Sequence, residues 1–169
     1  RMKDVPPWAR LSLAERLAQA GQRDEARAAL ARAEAATLDA PQLVLAAEIH
    51  RLLGEREAED QALQKALALV PRSPRILARR VEALTALGRD DEVEAACKEL
   101  QSLADAGDAK DLAAAASALA FSGRMAVARD LFDRALAKRP KPASEVLDLA
   151  RLAVAVNRPA EAVALYRAC

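Results

Sequence analysis

Few residues in this sequence belong to the types that carry covalent or metal chemistry. His50 is the one histidine, and Cys97 and Cys169 are the only cysteines. Catalytic triads and metal sites usually need histidine, and two cysteines build no disulfide framework. The chain also contains neither G-x-x-x-x-G-K-[ST] nor G-x-G-x-x-G, the glycine-rich loops that hold phosphates. The sequence therefore predicts a protein that is no enzyme and has no metal ion or cofactor.

His50 and the acidic run at 90–94 are the strongest candidates for chemistry, and both have structural interpretations. His50 falls one turn before Gly54 on the inward stripe of a predicted helix, so we interpret it as a packing histidine with satisfied hydrogen bonds. A ligand or a general base is the alternative. The acidic run begins a predicted helix, where the helix N-terminus favours negative charge. Adjacent carboxylates on a helix do not face each other, so they form no acid–base pair.

The elements that position these residues are marked by turn residues at a regular spacing. Gly21, Gly54, Gly88 and Gly123 are 33, 34 and 35 residues apart, and Asn157 follows 34 residues later. Gly and Asn tolerate the left-handed backbone that follows a helix C-terminus. A period in this range is typical of helical repeats. The predicted units span residues 7–39, 40–73, 74–108, 109–142 and 143–169, the last truncated, after an N-terminal extension at 1–6.

Each unit has two apolar stripes at helical spacing, one on either side of its Gly or Asn. In the second unit Leu43, Ala47 and His50 form the first stripe, and Leu63 and Ala66 belong to the second. Each unit is therefore predicted to be a helical hairpin. One hairpin cannot bury both stripes alone, so neighbouring hairpins must stack.

Capping residues support these helix starts. Ser73 stands before Pro74, and Asp108 and Asp111 have the spacing of a capping box.

The composition fits closely packed helices. Alanine occupies 44 of the 169 positions, whereas aromatic residues make up 2% of the chain. Alanine is the strongest helix former, and its small side chain lets helix backbones approach. The formal net charge of +1 gives no electrostatic reason to expect nucleic acid or an anionic membrane as partner. No apolar run is long enough to cross a membrane.

The pattern resembles the tetratricopeptide repeat, a family of 34-residue helical hairpins. That family has a small residue within helix A, Gly at the turn, two Ala residues and a large residue in helix B, and a terminal Pro. The fourth unit carries most of this pattern in Leu112, Ala116, Leu119, Gly123, Ala128, Phe132, Ala135 and Pro140. The resemblance implies an all-α, right-handed α-solenoid of about five repeats. Because the chain opens on Arg1 and is rich in Arg and Ala, we expect it to be excised from a larger bacterial protein.

Some positions depart from the family pattern. Glu59 and Val93 replace the early alanine of helix B, Arg80 occupies an apolar position of helix A, and Leu100 replaces the second alanine. The third unit is therefore expected to be the least regular. The RNA-binding pentatricopeptide repeat is the nearest alternative family, but the balanced charge disfavours it.

The resemblance also implies a binding groove, because the A helices of tetratricopeptide repeats line the concave face. By position, the implied groove residues are Glu48, Arg51, Leu52, Arg75, Arg79, Glu82, Lys110, Ser117, Phe121, Asp148 and Arg151. The same transfer places Leu11 and Ala78 in the groove.

Two features of this groove are candidate anchors. Arg75 and Arg79 are four residues apart, so they share a helix face and could hold a carboxylate. The alternative is a solvated face paired with neighbouring acids. Phe121 is a scarce aromatic that serves either as a partner contact or as packing between repeats.

The function implied is a non-catalytic scaffold that binds a partner protein or peptide, with no nucleic acid and no membrane insertion. A bacterial envelope assembly or exopolysaccharide export machine is the implied setting. A structural spacer or an oligomerisation module is the alternative. In that case the apolar face of the last helix, with Ala162, Leu165 and Tyr166, would pack on another copy.

Overall fold

The computed structural model describes residues 5–139 and 142–168, and every regular element within these ranges is an α-helix. Pro140 and Cys169, which the sequence analysis singled out, lie outside the described residues. The helices are, in chain order, α1 (Pro7–Gln19), α2 (Arg23–Glu34), α3 (Ala40–Leu53), α4 (Arg56–Leu69), α5 (Pro74–Leu87), α6 (Asp90–Asp105), α7 (Ala109–Phe121), α8 (Met125–Ala137), α9 (Ala143–Ala155) and α10 (Pro159–Ala168).

Consecutive helices pack in pairs, each joined by a tight turn. The pairs are α1 with α2, α3 with α4, α5 with α6, α7 with α8, and α9 with α10. The turns contain the residues that the sequence spacing indicated: Gly54 has φ 78° and Asn157 has φ 61°. The Glu55 N–H donates to the His50 carbonyl oxygen at 2.9 Å, which satisfies a carbonyl at the end of α3.

The helix starts agree with the capping prediction. The Asp108 carboxylate accepts from the Asp111 backbone N–H at 2.8 Å, and the Asp111 side chain accepts from the Asp108 N–H at 3.3 Å. The Ser73 hydroxyl accepts from the N–H of Ile76 at 3.4 Å, and Pro74 begins α5. Asp39 and Gln42 form a second capping box that the sequence analysis missed.

The chain divides into two compact units that each contain several hairpins, Arg1–Pro71 and Arg72–Cys169. We call these two parts of the chain the first unit and the second unit, and the single helical hairpins are called hairpins or repeats. In the first unit, which contains α1–α4, α3 packs against both α1 and α2. In the second unit, which contains α5–α10, α7 packs against α5 and α6, and α9 packs against α7 and α8. Within each unit, the first helices of successive hairpins are therefore neighbours.

Alanine and leucine fill the core of both units. In the first unit Leu11 and Ile49 are fully buried, together with Ala26. In the second unit Phe132 and Leu112 are fully buried. The small side chains lie at the helix contacts, where they let the backbones approach.

The departures from the family pattern are accommodated without leaving the repeat arrangement. Val93 is 4% exposed and Leu100 is fully buried, so both join the core. The Nη2 atom of Arg80 lies 3.4 Å from a carboxylate oxygen of Glu92. Burial raises the pKa of Glu59, and the hydrogen bond from Arg56, 2.7 Å long, opposes that rise.

None of the described helices is both long enough and apolar enough to span a bilayer.

Replacing Gly54 with alanine should lower the free energy of unfolding by about 1 kcal/mol, because a Cβ is disfavoured at positive φ. No atom lies within 4 Å of the place that a Cβ would occupy, so the cost is one of backbone conformation. Gly54→Asn is the matched variant and should cost less, since Asn157 already adopts this conformation. Urea denaturation measures both. An equal loss in the free energy of unfolding for the two variants would contradict the explanation by backbone conformation.

Candidate partner-binding surface

Eight of the predicted groove residues lie on three helices of the second unit that pack in sequence, α5, α7 and α9. We call these eight residues the second-unit A surface. It consists of Arg75, Arg79, Glu82, Lys110, Ser117, Phe121, Asp148 and Arg151. All are exposed except Glu82, which is half-buried. The remaining three predicted residues, Glu48, Arg51 and Leu52, lie on α3 in the first unit, where Arg51 forms an ion pair with Glu48.

Arg75 connects α5 to the start of α7. Its Nε lies 2.9 Å from Oδ1 of Asp111, and its Nη2 lies 3.2 Å from Oδ2 of Asp108. The backbone N–H of Asp111 and the charge of Arg75 together hold the pKa of Asp108 below its usual range, against the effect of partial burial. The Arg75 guanidinium is therefore engaged within the protein, and a partner carboxylate would have to compete with these two acids.

Lys110 makes the equivalent connection one repeat later. Its Nζ lies 3.2 Å from Oε1 of Glu145 and so joins α7 to α9. Along α9, Nη1 of Arg151 lies 3.6 Å from Oδ1 of Asp148. Arg79 and Glu82 also take part in polar interactions. The charged part of the second-unit A surface is thus mixed in sign and largely paired.

Phe121 stands apart from these paired charges. It ends α7 with 60% of its surface exposed, whereas Phe132, on the next helix, is fully buried. Ser117, one turn earlier on the same helix, is exposed as well. An exposed aromatic ring offers a partner a large apolar area that is already held rigidly by its helix.

Two sequence expectations about the groove are wrong. Leu11 is fully buried and Ala78 is 3% exposed, so neither side chain is available to a partner. Leu11 belongs to the core formed by α1, α2 and α3, with Leu30 and Ile49. Helical periodicity places Leu11 and Ala78 near the boundary between the groove face and the buried face of their helices. The position of the neighbouring helix decides whether such a residue is exposed or buried.

His50 has the structural role that its sequence position suggested. Its Nδ1 lies 2.8 Å from Oε2 of Glu55, and its Nε2 lies 3.1 Å from Oε1 of Glu34. Arg27 donates through Nε to the other oxygen of Glu55 at 2.6 Å. These four residues, which we call the His50 network, join α2 to the second hairpin. Sequence reasoning missed the partners because Glu34 and Arg27 come close to His50 and Glu55 only when α2 packs against α3.

Within residues 5–139 and 142–168, no group of three or more His, Cys, Asp or Glu side chains is placed to hold an ion.

Comparison with known proteins identifies the fold. No protein-family model matches the chain, and no curated protein matches it either. Among solved structures, a tetratricopeptide-repeat protein of Thermus thermophilus, TTC0263, is similar with a TM-score of 0.63 and 22% identity, over 95% of this chain and 88% of that one. The chain has the tetratricopeptide-repeat fold.

Two further tetratricopeptide-like structures agree with this result. A putative kinesin light chain of Podospora anserina with nearly identical repeats has a TM-score of 0.59 and 19% identity, over 97% of this chain and 94% of that one. MamA of Desulfovibrio magneticus RS-1 has a TM-score of 0.52 and 18% identity, over 99% and 94%. The all-α repeat fold expected from the sequence is confirmed. In the terms of this fold, α1, α3, α5, α7 and α9 are A helices, and the other five are B helices.

The His50 network should make stability depend on pH through Glu55. Partial burial pushes the pKa of Glu55 up, but the hydrogen bonds from Arg27 and His50 outweigh it and hold the pKa below the ordinary value of 4.5. As the pH falls below that value, the unfolded chain binds more protons at Glu55 than the folded chain does. The contribution of Glu55 to the free energy of unfolding is therefore complete at neutral pH and is lost in acid.

We expect Glu55→Gln to lower the free energy of unfolding at pH 7 by about 1 kcal/mol, since solvent screens a partly exposed pair. The difference from the parent protein should shrink as the pH falls below about 4. Chemical denaturation across this pH range measures it, with Glu57→Gln on the exposed side of α4 as the control. A difference that stays constant with pH would contradict the assignment.

Proposed function

We propose that this chain is a non-catalytic scaffold that binds a segment of a partner protein along the second-unit A surface, with Phe121 as the apolar anchor. The observation that carries the proposal is the 60% exposure of Phe121 on a surface built from three adjacent A helices. Exposed aromatic residues beside polar ones are typical of the few positions that dominate binding energy at protein interfaces.

The charges of this surface favour a protein partner over nucleic acid. Arg75 and Lys110 are both held by carboxylates of the neighbouring helix. Binding to a phosphate backbone relies on many Lys and Arg side chains free to replace counterions. Paired charges of both signs instead suit a peptide. Its polar side chains would form hydrogen bonds with the charged residues at the edge of the surface, and an apolar side chain would pack against Phe121.

The partner can be captured at the centre of the proposed surface. A photo-crosslinking amino acid at Ser117, which is exposed one turn before Phe121, would trap the partner in the source cell. We propose a bacterial envelope assembly or exopolysaccharide export machine as the setting, because the sequence resembles bacterial repeat scaffolds. Envelope components should then dominate the captured proteins, and a set without them would overturn the setting while leaving the surface in place.

Phe121→Ala should weaken binding of the captured partner about fivefold or more, because truncating an interface anchor costs more than about 1 kcal/mol. Trp8→Ala is the matched control, since Trp8 is 61% exposed but lies in the first unit. Calorimetry with the purified partner compares the two variants. Unchanged affinity for Phe121→Ala, with normal helicity, would remove Phe121 from the interface.

Self-association is a second candidate, favoured by exposed apolar residues on the last hairpin. Of the apolar face expected from the sequence, Ala162 is 3% exposed and therefore buried, whereas Tyr166 is 47% exposed. Val154 and Val163 of the same hairpin are 61% and 50% exposed. Exposed apolar side chains gathered on one element are common where a protein meets another surface.

If the last hairpin carries a self-association surface, sedimentation should show a molecular mass that rises with protein concentration. The double variant Val154→Glu and Val163→Glu should then remain monomeric over the same range, because charges are costly to bury without partners. Leu13→Glu, at a residue that is 48% exposed on α1, serves as the control. A parent protein that is monomeric at every concentration excludes this candidate.

A further inference from the structure

A cleft of about 510 Å³ lies within the first unit. One wall is α4, and the remaining lining comes from α3, the end of α2 and the linker after it. Leu38 and Leu43 contribute apolar surface, and Glu34 and His50 contribute polar atoms. The cleft is open to solvent along α4.

The α4 wall is a single helix face. Ala58, Gln61, Ala62, Lys65 and Leu69 line the cleft at relative positions 0, 3, 4, 7 and 11. This spacing keeps them on one side of the helix over about three turns, or roughly 16 Å. The alanines leave a shallow surface, and Leu69, which is 57% exposed, adds an apolar side chain at the far end.

The polar groups inside the cleft are already committed. His50 is 8% exposed, and both of its ring nitrogens face carboxylates, Glu34 on one side and Glu55 on the other. A small polar ligand would need converging groups with unused hydrogen-bonding capacity. The His50 network instead fixes the cleft in place by holding α2 to the second hairpin.

Two charged side chains line the cleft: Glu34, which is 38% exposed and faces His50, and Lys65 on the α4 face. The residues three and four positions away from Lys65 are Gln61, Ala62, Ala68 and Leu69, so its own helix supplies no acid. No carboxylate in the described part of the chain forms an ion pair with it. The α4 side of the cleft therefore presents alanines and Leu69 with the exposed side chains of Gln61 and Lys65 between them. Its complement is an apolar stripe with a carboxylate placed opposite Lys65.

We propose that this cleft, which α4 forms with α3 and the linker after α2, binds an amphipathic helix of a partner protein that carries an acidic side chain opposite Lys65. An amphipathic helix presents anchors at i, i+3 or i+4, and i+7, a stripe of about two turns that fits within the roughly three turns of α4 lining the cleft. The cleft shares no residue with the second-unit A surface, so a failure of either proposal leaves the other standing.

The test is a selection on the full chain from a displayed library of amphipathic helices. The library has a fixed apolar stripe and randomised flanks, and a second library with a scrambled stripe serves as background. Selected peptides should keep the stripe and gain an acid beside it. Hydrogen exchange on the complex should show added protection in α3 and α4, and circular dichroism should report a helical peptide.

Variants of the cleft then measure the contacts. Lys65→Glu should weaken binding of the selected peptide about tenfold or more by placing like charges together, and Leu69→Gln should weaken it several-fold. Leu13→Gln and Lys98→Glu make the same chemical changes at exposed residues outside the cleft, and both should leave the affinity unchanged. Normal circular dichroism of each variant shows that it is folded.

Three results would overturn the proposal. One is enrichment no better than that of the scrambled library. The second is a selected peptide that binds in an extended form or protects α7 in place of α4. The third is an affinity that Lys65→Glu and Leu69→Gln leave unchanged.

Discussion

Close contact between helices through alanine is the constraint on which the rest of this structure depends. Ala14, Ala26 and Ala33 in the first unit, and Ala116 and Ala128 in the second, have no exposed surface. Side chains this small bring helix backbones close together, so each hairpin packs with little room for variation. Alanine side chains also bury little apolar area, so a single hairpin buries too little to be stable alone. The stacking of neighbouring hairpins supplies the remaining buried apolar area.

Ion pairs between repeats supplement this packing at a recurring position. The residue directly after each of three turns, Glu55, Arg124 and Arg158, pairs with the preceding B helix of its own unit. The distances are 2.6 Å from Glu55 to Arg27, 2.6 Å from Arg124 to Glu94 and 3.2 Å from Arg158 to Asp133. Exposed pairs of this kind contribute about 0–1 kcal/mol each, so their main effect is on the alignment of neighbouring hairpins.

The same packing determines where partners can bind. Alanine fills the helix contacts, and ten large apolar side chains of the described residues remain exposed, Phe121 and Leu69 among them. Phe121 is exposed on an A-helix surface whose charged residues are largely paired. Leu69 lies at the end of a cleft in which Glu34 and His50 are hydrogen-bonded to each other. Both proposals therefore rest on an exposed apolar side chain, and the cleft proposal also rests on the cation of Lys65, which pairs with no carboxylate of the described residues.

The local features of this protein could be predicted from sequence, and the long-range ones could not. The individual helices, the positive φ at Gly54 and the capping box at Asp108 depend on residues within four positions of each other, so periodicity and residue type suffice. The hairpins followed from the regular spacing of the turn residues. The pairing of His50 with Glu34, the burial of Leu11 and the cleft beside α4 depend on how one helix packs on another. Side-chain volumes decide that packing collectively, which is why only the tertiary structure revealed them.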